Sequence, residues 1–390
     1  MNWKPVQAAF PVNSRMIWLN NCGITPAGSH VVAAMRRYLE DYALQGIFTP
    51  TAVYPAVRRR IKTILGRLLN CPAESLCLIH NTSEGMNVVS RGLALRPGQE
   101  ILLLENEYPS NVYPWRHWAD QGVRLVTVPA ETSPERFLSA FRERISDATR
   151  VAAMSAVHWC TGMPLPLVEM GKICRENDVF FAVDGAQGVG MQPIDVEAMG
   201  IDFMAFSAWK WLMGPLGLGG LYVAPHRLDS LTPVFVGTES VVKDEEYLPY
   251  KSELKPDADR FAFSTPSLND WVYFLAALEF LDAIGFETVR KRIFELTDYL
   301  NQRLRRMGFR VYSDHFPDHP TGITVCDKPG VPSGRLMDRL KENGVIAAER
   351  LGRIRFSPHI YLSKHQLDAA ARTLSQACIS QMYSQTITRQ

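Results

Sequence analysis

Residues 179–187 read VFFAVDGAQ, a run of apolar residues followed directly by an aspartate. Its phenylalanines and valines favour an extended strand, and the Asp184-Gly185 pair is typical of the turn that ends one. Just before it, apolar residues recur at helical spacing, at Leu167, Met170, Ile173 and Cys174. A helix that leads into a buried strand is the repeating unit of a parallel sheet.

Similar β-rich runs occupy much of the chain between about residues 75 and 225. They are Leu76–Ile79, Ile101–Leu104, Val123–Val128, Val151–Val157, Phe203–Phe206 and Gly220–Val223. Longer amphipathic segments separate them, which implies crossover connections between neighbouring strands. The pattern predicts an α/β domain with a mainly parallel, seven-stranded sheet that is flanked by helices.

The sequence changes in character after about residue 245. A charged stretch without periodicity, KDEEYLPYKSELKPDADR at 243–260, is typical of a surface connection. An amphipathic helix over Val289–Leu304, with a stop at Gly308, follows it. Strand-like runs at 322–326 and 352–356 come next, and Ser363-Lys-His-Gln366 matches a capping box that opens a last helix.

These features predict two domains. Residues 25–245 form a large α/β domain, and residues 1–24 together with 246–390 form a smaller α+β domain. A length of 390 residues agrees with such a division, because it exceeds what one hydrophobic core usually serves.

Charge and cysteine content exclude several classes of protein. The formal net charge is only +2, so no long-range field favours nucleic acid or an anionic membrane surface. The longest apolar stretches, such as Trp271–Leu281, are too short to cross a bilayer. The seven cysteines contain no CxxC pair, which fits neither a disulfide framework nor a cysteine-rich zinc site. We expect a cytoplasmic protein without a metal site.

Polar residues follow two of the predicted strands at the edge where parallel sheets bind ligands. Thr82 and Ser83 open a helix after the first strand, and a helix N-terminus with hydroxyls suits a phosphate; an ordinary helix cap is the alternative. Asp184 could bind a metal, anchor a ribose or pair with a protonated ring nitrogen, or it could simply belong to a turn.

Lys210 follows the strand at Phe203–Phe206 and stands between Trp209 and Trp211. Apolar neighbours desolvate an amine and favour its neutral form, which suits Schiff-base formation. A lysine whose stem lies along the two indoles is the alternative.

A phosphate cradle, an acid for a ring nitrogen and a lysine for an aldehyde are together what pyridoxal phosphate requires. The order Thr82-Ser83, Asp184-x-x-Gln187, Ser207-x-x-Lys210 resembles the class V branch of fold-type I pyridoxal-phosphate enzymes. That branch includes cysteine desulfurases, selenocysteine lyase, cystine C–S lyase, isopenicillin N epimerase, kynureninase and several aminotransferases. The resemblance extends from the WLNNCG segment at Trp18 to the RFSPHIY segment at Arg355.

The resemblance implies a role for each matching residue. Lys210 would form the internal aldimine and shuttle the Cα proton, while Asp184 would keep the pyridine nitrogen protonated. Gln187 would meet the phenolic oxygen of the ring. Phosphate would be held by three hydroxyls, those of Thr82, Ser83 and Ser207.

Four further residues match less specific segments of the family. Tyr108, in EYPSN, would stack on the ring, and His158 would lie near the phenolic oxygen; simple packing is the alternative for both. Thr265, in RFAFSTP, would reach across a homodimer to the phosphate of the partner, so that the active sites are shared. Arg355 would hold the substrate α-carboxylate in a bidentate fashion, unless it is a surface arginine.

Two departures from the family pattern bear on the reaction. Many relatives have histidine immediately before the lysine, whereas this chain has Trp209, which leaves phosphate binding weaker or differently arranged. Cysteine desulfurases carry a nucleophilic cysteine on a loop ahead of the arginine. Here the segment from Gly344 to Arg355 reads GVIAAERLGRIR, without a cysteine and with little room for such a loop.

We therefore expect an enzyme that acts at Cα and Cβ of a small amino-acid substrate, as a C–S lyase that eliminates without a persulfide cysteine. A class V aminotransferase is the first alternative and an amino-acid epimerase is the second. A binding protein that keeps the fold without turnover is the alternative from another functional class.

Overall fold

The structure is a computed structural model that describes residues 1–49 and 53–387, with side chains up to Cys378. The helices are α1 Lys4–Ala8, α2 Ser29–Gln45, α3 Tyr54–Leu69, α4 Thr82–Gly92, α5 Tyr113–Ala119, α6 Pro134–Arg144, α7 Leu167–Glu176, α8 Leu268–Ile284, α9 Phe286–Arg306, α10 Ser333–Glu342 and α11 Lys364–Ile387. The strands are β1 Ile17–Trp18, β2 Leu76–Ile79, β3 Glu100–Leu104, β4 Arg124–Val128, β5 Thr149–Ser155, β6 Phe180–Asp184, β7 Phe203–Ser207, β8 Gly219–Val223, β9 Arg310–Val311, β10 Thr324–Asp327, β11 Val345–Ile346, β12 Ala348–Arg350 and β13 Arg353–Phe356.

The central sheet has seven strands in the order β2-β8-β7-β6-β5-β3-β4. Strands β3 to β7 pair in parallel, and β8 runs antiparallel to both of its neighbours. Each β-rich run that the sequence indicates is a strand of this sheet. The predicted α/β class with a mainly parallel, seven-stranded sheet is therefore confirmed.

Helices cover both faces of this sheet, and side chains alternate between two apolar clusters. Leu102 and Leu104 belong to one cluster, whereas Ile101 and Leu103 belong to the other. Every residue of β3, β7 and β8 is buried. This burial on both faces explains why these strands read as continuous apolar runs instead of alternating ones.

The C-terminal part contains a second, four-stranded antiparallel sheet in the order β12-β13-β10-β9. The predicted helix over 289–304 lies within α9, and Ser363 and Gln366 exchange the two hydrogen bonds of a capping box at the start of α11. Strand β1 pairs in parallel with β11, so the N-terminal segment joins the C-terminal part. The exact division at residue 245 stays a prediction.

Strands β12 and β13 form a tight hairpin, in which Arg350 pairs with Arg353. Its two turn residues, Leu351 and Gly352, have φ of 50° and 72°. Two consecutive residues with positive φ are typical of the shortest hairpin turn, which leaves no additional loop between the strands.

Within the described ranges, no helix has both the length and the apolar character that crossing a membrane requires. Among the same residues, no group of three or more histidine, cysteine, aspartate or glutamate side chains is arranged to hold a metal ion.

Candidate active site

A cavity of about 410 Å³ lies at the carboxyl ends of β6 and β7, beside the N-terminus of α4. Most of the residues that the sequence singles out line it: Thr82, Ser83, Tyr108, Asp184, Gln187, Ser207, Lys210 and Arg355. Side chains far apart in the sequence meet here because parallel strands end at the same edge of a sheet.

Hydroxyl groups gather at the first turn of α4. The Thr82 and Ser207 oxygens lie 2.7 Å apart, and the Ser83 and Ser110 oxygens are also 2.7 Å apart. Asn81 caps the helix by accepting a hydrogen bond from the Glu84 N–H at 2.9 Å. The helix N-terminus and these hydroxyls together provide donors for an anionic group such as a phosphate.

Asp184 is the last residue of β6, and only 3% of it is exposed. Its carboxylate accepts a hydrogen bond from the Ala186 N–H at 2.9 Å. Burial raises the pKa of Asp184, although the charge of Lys210 and this hydrogen bond oppose the rise. Asp184 is thus a buried acid at the cavity wall that can pair with a basic ring nitrogen.

Lys210 lies in the loop after β7, and Thr25 fixes its backbone. The Thr25 N–H donates to the Trp209 carbonyl at 2.9 Å, and its hydroxyl donates to the Lys210 carbonyl at 2.7 Å. Burial lowers the pKa of the Lys210 amine, and Asp184 only opposes this effect. The amine nitrogen lies 5.6 Å from the centre of the Tyr108 ring, and both residues line the cavity.

Arg355 is a buried residue of β13 that reaches the same cavity from the C-terminal sheet. Its guanidinium donates to the Trp159 carbonyl at 2.9 Å, while its Nε has no hydrogen-bond partner among the described residues. A buried guanidinium with unused donors at a cavity wall is well suited to a carboxylate.

The structure also adds residues to the site that sequence reasoning missed. Cys22 and Trp159 line the cavity, and Arg350 reaches it from the end of the β12–β13 hairpin. Cys22 belongs to the WLNNCG segment, which carried a family signal without a role for this position. Arg350 is one residue from the hairpin turn, and only the register of the hairpin reveals that it faces the same cavity as Arg355.

Two of the predicted site residues lie elsewhere. His158 is buried, with its Nδ1 3.0 Å from the Thr161 hydroxyl, and its neighbour Trp159 lines the cavity instead. Thr265 lines a second cavity of about 270 Å³, which adjoins the first at Gly217. The cavity of one chain is therefore not lined by these two residues, and both assignments stay predictions.

The donor set of the cavity fits pyridoxal phosphate. Hydroxyls at a helix N-terminus suit the phosphate, the buried Asp184 carboxylate suits the pyridine nitrogen, and the desolvated Lys210 amine suits the aldehyde. The Tyr108 ring lies on the open side, with 41% of it exposed and its edge against Trp159.

Glu107 is a second buried carboxylate close to Asp184, and sequence reasoning gave it no role. Its two oxygens accept hydrogen bonds from the Ser155 hydroxyl and N–H, the Tyr108 N–H and the Asn111 amide. Burial, with a contribution from the charge of Asp184, raises the pKa of Glu107 to about 7. Glu107 thus ties the backbone of Tyr108 to the end of β5.

We expect the cofactor-free protein to lose stability as the pH rises from 5 to 8, because Glu107 must ionise in a buried site. A raised pKa contributes stability below the unfolded value of about 4.5, and that stability is lost as the pH rises through about 7. The loss is on the order of 3 kcal/mol. Urea unfolding across this range, measured as the difference between the wild type and Glu107→Gln, tests it. The same difference for the exposed Glu143→Gln should stay flat.

Comparisons with known proteins address the family of the chain. The family model of class-V aminotransferases matches residues 17–373. A probable cysteine desulfurase of Pyrococcus abyssi is 24% identical over 97% of this chain and 98% of its own length. The isopenicillin N epimerase of Streptomyces clavuligerus is 28% identical over 82% of this chain and 84% of its own.

Solved structures give the same fold. A complex of the cystine C–S lyase C-DES with its product cysteine persulfide superposes with a TM-score of 0.86, at 22% identity. It covers 94% of this chain and 99% of its own length. The architecture is that of fold-type I enzymes. Because the family model spans most of the sequence and the cavity carries the donor set of its cofactor, the chain belongs to the class-V aminotransferase family of pyridoxal-phosphate-dependent enzymes.

Proposed function

We propose that this enzyme acts at Cα and Cβ of a small amino acid and that it is a C–S lyase, which eliminates a sulfur group without a persulfide cysteine. The observation that supports this proposal is the short turn of the β12–β13 hairpin. Where a desulfurase needs a thiol on a mobile loop, this chain has a two-residue turn at Leu351-Gly352. The cavity does contain the Cys22 thiol, but it is buried on a segment whose backbone is hydrogen-bonded to Ser357 and Gln187.

Different residues of the chain would bind different parts of the cofactor. Lys210 Nζ would bind its aldehyde carbon, Asp184 would pair with its ring nitrogen, and Tyr108 would cover its ring. The hydroxyls around the first turn of α4 would hold its phosphate, and Gln187 would meet its phenolic oxygen. When bound, pyridoxal phosphate accepts the electron pair that is left when a bond to Cα breaks.

We assign the transfer of the Cα proton to Lys210. With cofactor and substrate bound, the free Lys210 amine would lie at the wall of the cavity. Burial favours the neutral form of that amine, so it can accept the Cα proton. The low pKa of Lys210 and the fixed backbone around it therefore support its role as the base.

We assign the binding and orientation of the substrate carboxylate to Arg355. We expect Arg355→Gln to raise KM for the amino acid by roughly 10- to 100-fold, because the variant loses a buried, charge-assisted contact with the carboxylate. The matched control is Arg353→Gln. Arg353 lies on the same strand, and its guanidinium stacks on Tyr312 at 3.8 Å. Steady-state kinetics should show KM nearly unchanged in the control, and equal effects in both variants would contradict the assignment.

An assay for elimination tests the proposed reaction. Purified holoenzyme is incubated with cystine and with cysteine thioethers, and pyruvate and the released sulfur compound are measured. Equal amounts of the two products are expected. Amino transfer that depends on an added keto acid would instead support a class V aminotransferase, and loss of optical activity without pyruvate would support the epimerase that the Streptomyces relative suggests. The absence of turnover with every amino acid would favour a binding protein.

We also propose a homodimer with shared active sites. Thr265 faces the second cavity beside Gly217, where a partner subunit could receive it. Several large apolar side chains are strongly exposed, among them Leu44, Phe48, Tyr247 and Tyr250. Sedimentation should give twice the chain mass of 43.9 kDa, and an active species at 43.9 kDa would contradict the proposal.

A cytoplasmic location is the compartment that we propose. All seven cysteines are free thiols, and desolvation raises the pKa of six of them: Cys71, Cys77, Cys160, Cys174, Cys326 and Cys378. Free thiols without disulfides are typical of a reducing compartment.

A further inference from the structure

We propose that Trp211 is a positioning residue for the cofactor, because its indole N–H fixes the Gln187 amide in a single orientation. The proposal rests on the proposed cofactor site, in which Gln187 meets the bound ring. Trp211 directly follows Lys210, but it does not line the cavity, and its side chain is fully buried.

The contacts of Gln187 determine which way its amide points. The Trp211 Nε1–H donates to Gln187 Oε1 at 3.1 Å, and Gln187 Nε2 donates to the Cys22 carbonyl at 2.9 Å. An indole N–H can only donate and a carbonyl can only accept, so the flipped amide would lose both bonds. Chemistry thus allows one orientation, with one amide N–H left for a ligand.

The indole itself is held in place on several sides. A Cβ added at Gly322 would lie 2.8 Å from the edge of the Trp211 ring, so the backbone at Gly322 touches the indole. The His359 ring lies 5.8 Å away, and its Nε2 is 3.2 Å from the Trp211 carbonyl. A close-packed ring of this kind cannot change rotamer without moving its neighbours.

His359 extends the same network into the C-terminal part. Its Nδ1 accepts a hydrogen bond from the Ile360 N–H at 2.9 Å, which leaves Nε2 as the protonated nitrogen that donates to Trp211. Burial lowers the pKa of His359 to about 4, so it stays neutral in this role. The chain of contacts runs from His359 through Trp211 and Gln187 to Cys22.

Removing the indole N–H should change the affinity and the absorbance of the bound cofactor. In Trp211→Phe, the Gln187 amide keeps only its bond to Cys22 and can turn. We expect the dissociation constant of pyridoxal phosphate to rise roughly 5- to 10-fold, the effect of one buried hydrogen bond. The pH midpoint of the visible absorbance of the bound cofactor should also rise, because a fixed donor no longer draws charge from the phenolic oxygen.

A double-mutant cycle separates positioning from packing. In the Gln187→Ala background, adding Trp211→Phe should change neither the dissociation constant nor the pH midpoint any further. If Trp211→Phe has the same effect with and without Gln187, the indole acts through packing and the proposal is overturned. The matched control is Trp118→Phe, which removes a buried indole N–H bonded to the Ser90 carbonyl far from the cavity, and it should leave both values unchanged.

Two further measurements distinguish failure of the cofactor site from failure of the Trp211 contact. If the wild type shows no lysine-bound cofactor, the proposed cofactor site fails, and that result is distinct from a failure of the Trp211 contact. If Trp211→Phe does not fold, protein labelled with ¹⁵N-tryptophan reports the same bond from its other end. In Gln187→Ala, the indole resonance of a buried tryptophan should shift, and a spectrum identical to that of the wild type would overturn the proposal.

Discussion

Lys210→Ala protein should show no visible absorbance from covalently bound cofactor and should lose activity by roughly 10³-fold or more. In the proposed function Lys210 has two tasks, to bind the aldehyde and to move the Cα proton, and an alanine can perform neither. Burial lowers the pKa of its amine, which is the property that both tasks require. Absorbance spectra of the protein incubated with pyridoxal phosphate, together with the assay for elimination, measure the two losses.

The control for this variant is Lys172→Ala, which removes an exposed lysine of α7. Its spectrum and activity should match those of the wild type. Borohydride reduction of the wild type, followed by peptide mapping, should place the cofactor on the peptide that contains Lys210. Retention of the visible band in Lys210→Ala, or attachment to another lysine, would refute the assignment.

Asp184→Asn should lower turnover by roughly 10²- to 10⁴-fold while the cofactor still binds to Lys210. Asparagine keeps the size of the side chain and the oxygen that accepts the Ala186 N–H, so the fold of this segment should persist. In the proposed site, the variant would lose the negative charge that keeps a proton on the ring nitrogen, and without that proton the ring would accept electrons poorly. Because the Asp184 charge also opposes the desolvation of Lys210, the pKa of that amine should fall further.

Asp202→Asn is the matched control for this second variant. Asp202 is equally buried, and it accepts hydrogen bonds from the Phe181 N–H and from Arg227 on the opposite edge of the sheet. We expect it to cost stability, measured by thermal unfolding, with little change in turnover per folded molecule. Equal losses of turnover in Asp184→Asn and Asp202→Asn would show that the effect comes from folding instead of from the ring nitrogen.

Much of the fold could be predicted because strands that are buried on both faces must be apolar along their whole length. The run before Asp184 and the run before Ser207 are both of this kind. Their end points also gave the site, since the first polar residue after such a strand lies at the ligand-binding edge. Lys210 and Asp184 therefore came directly from the sequence.

The remaining residues of the site depend on contacts that no local pattern contains. The choice between His158 and Trp159 falls in an irregular segment after β5, where the alternation of a strand no longer tells which side chain faces the cavity. Cys22 reaches the site through the pairing of β1 with the distant strand β11, and Arg350 reaches it through the register of the β12–β13 hairpin. Glu107 could not be identified from the sequence, because its four hydrogen bonds come from three residues at separate positions along the chain.

Thr25 and Cys22 hold the segments that carry Lys210 and Gln187. These contacts have a consequence for the order in which the protein folds. These contacts, and the bond between Asn21 and the Ser357 carbonyl, join residues separated by 185, 165 and 336 positions along the chain. Contacts of such long range form late, because closing large loops costs entropy before any packing offsets it. The central sheet should therefore form before the N-terminal and C-terminal segments close the pocket, and capture of the cofactor should be a late step of folding.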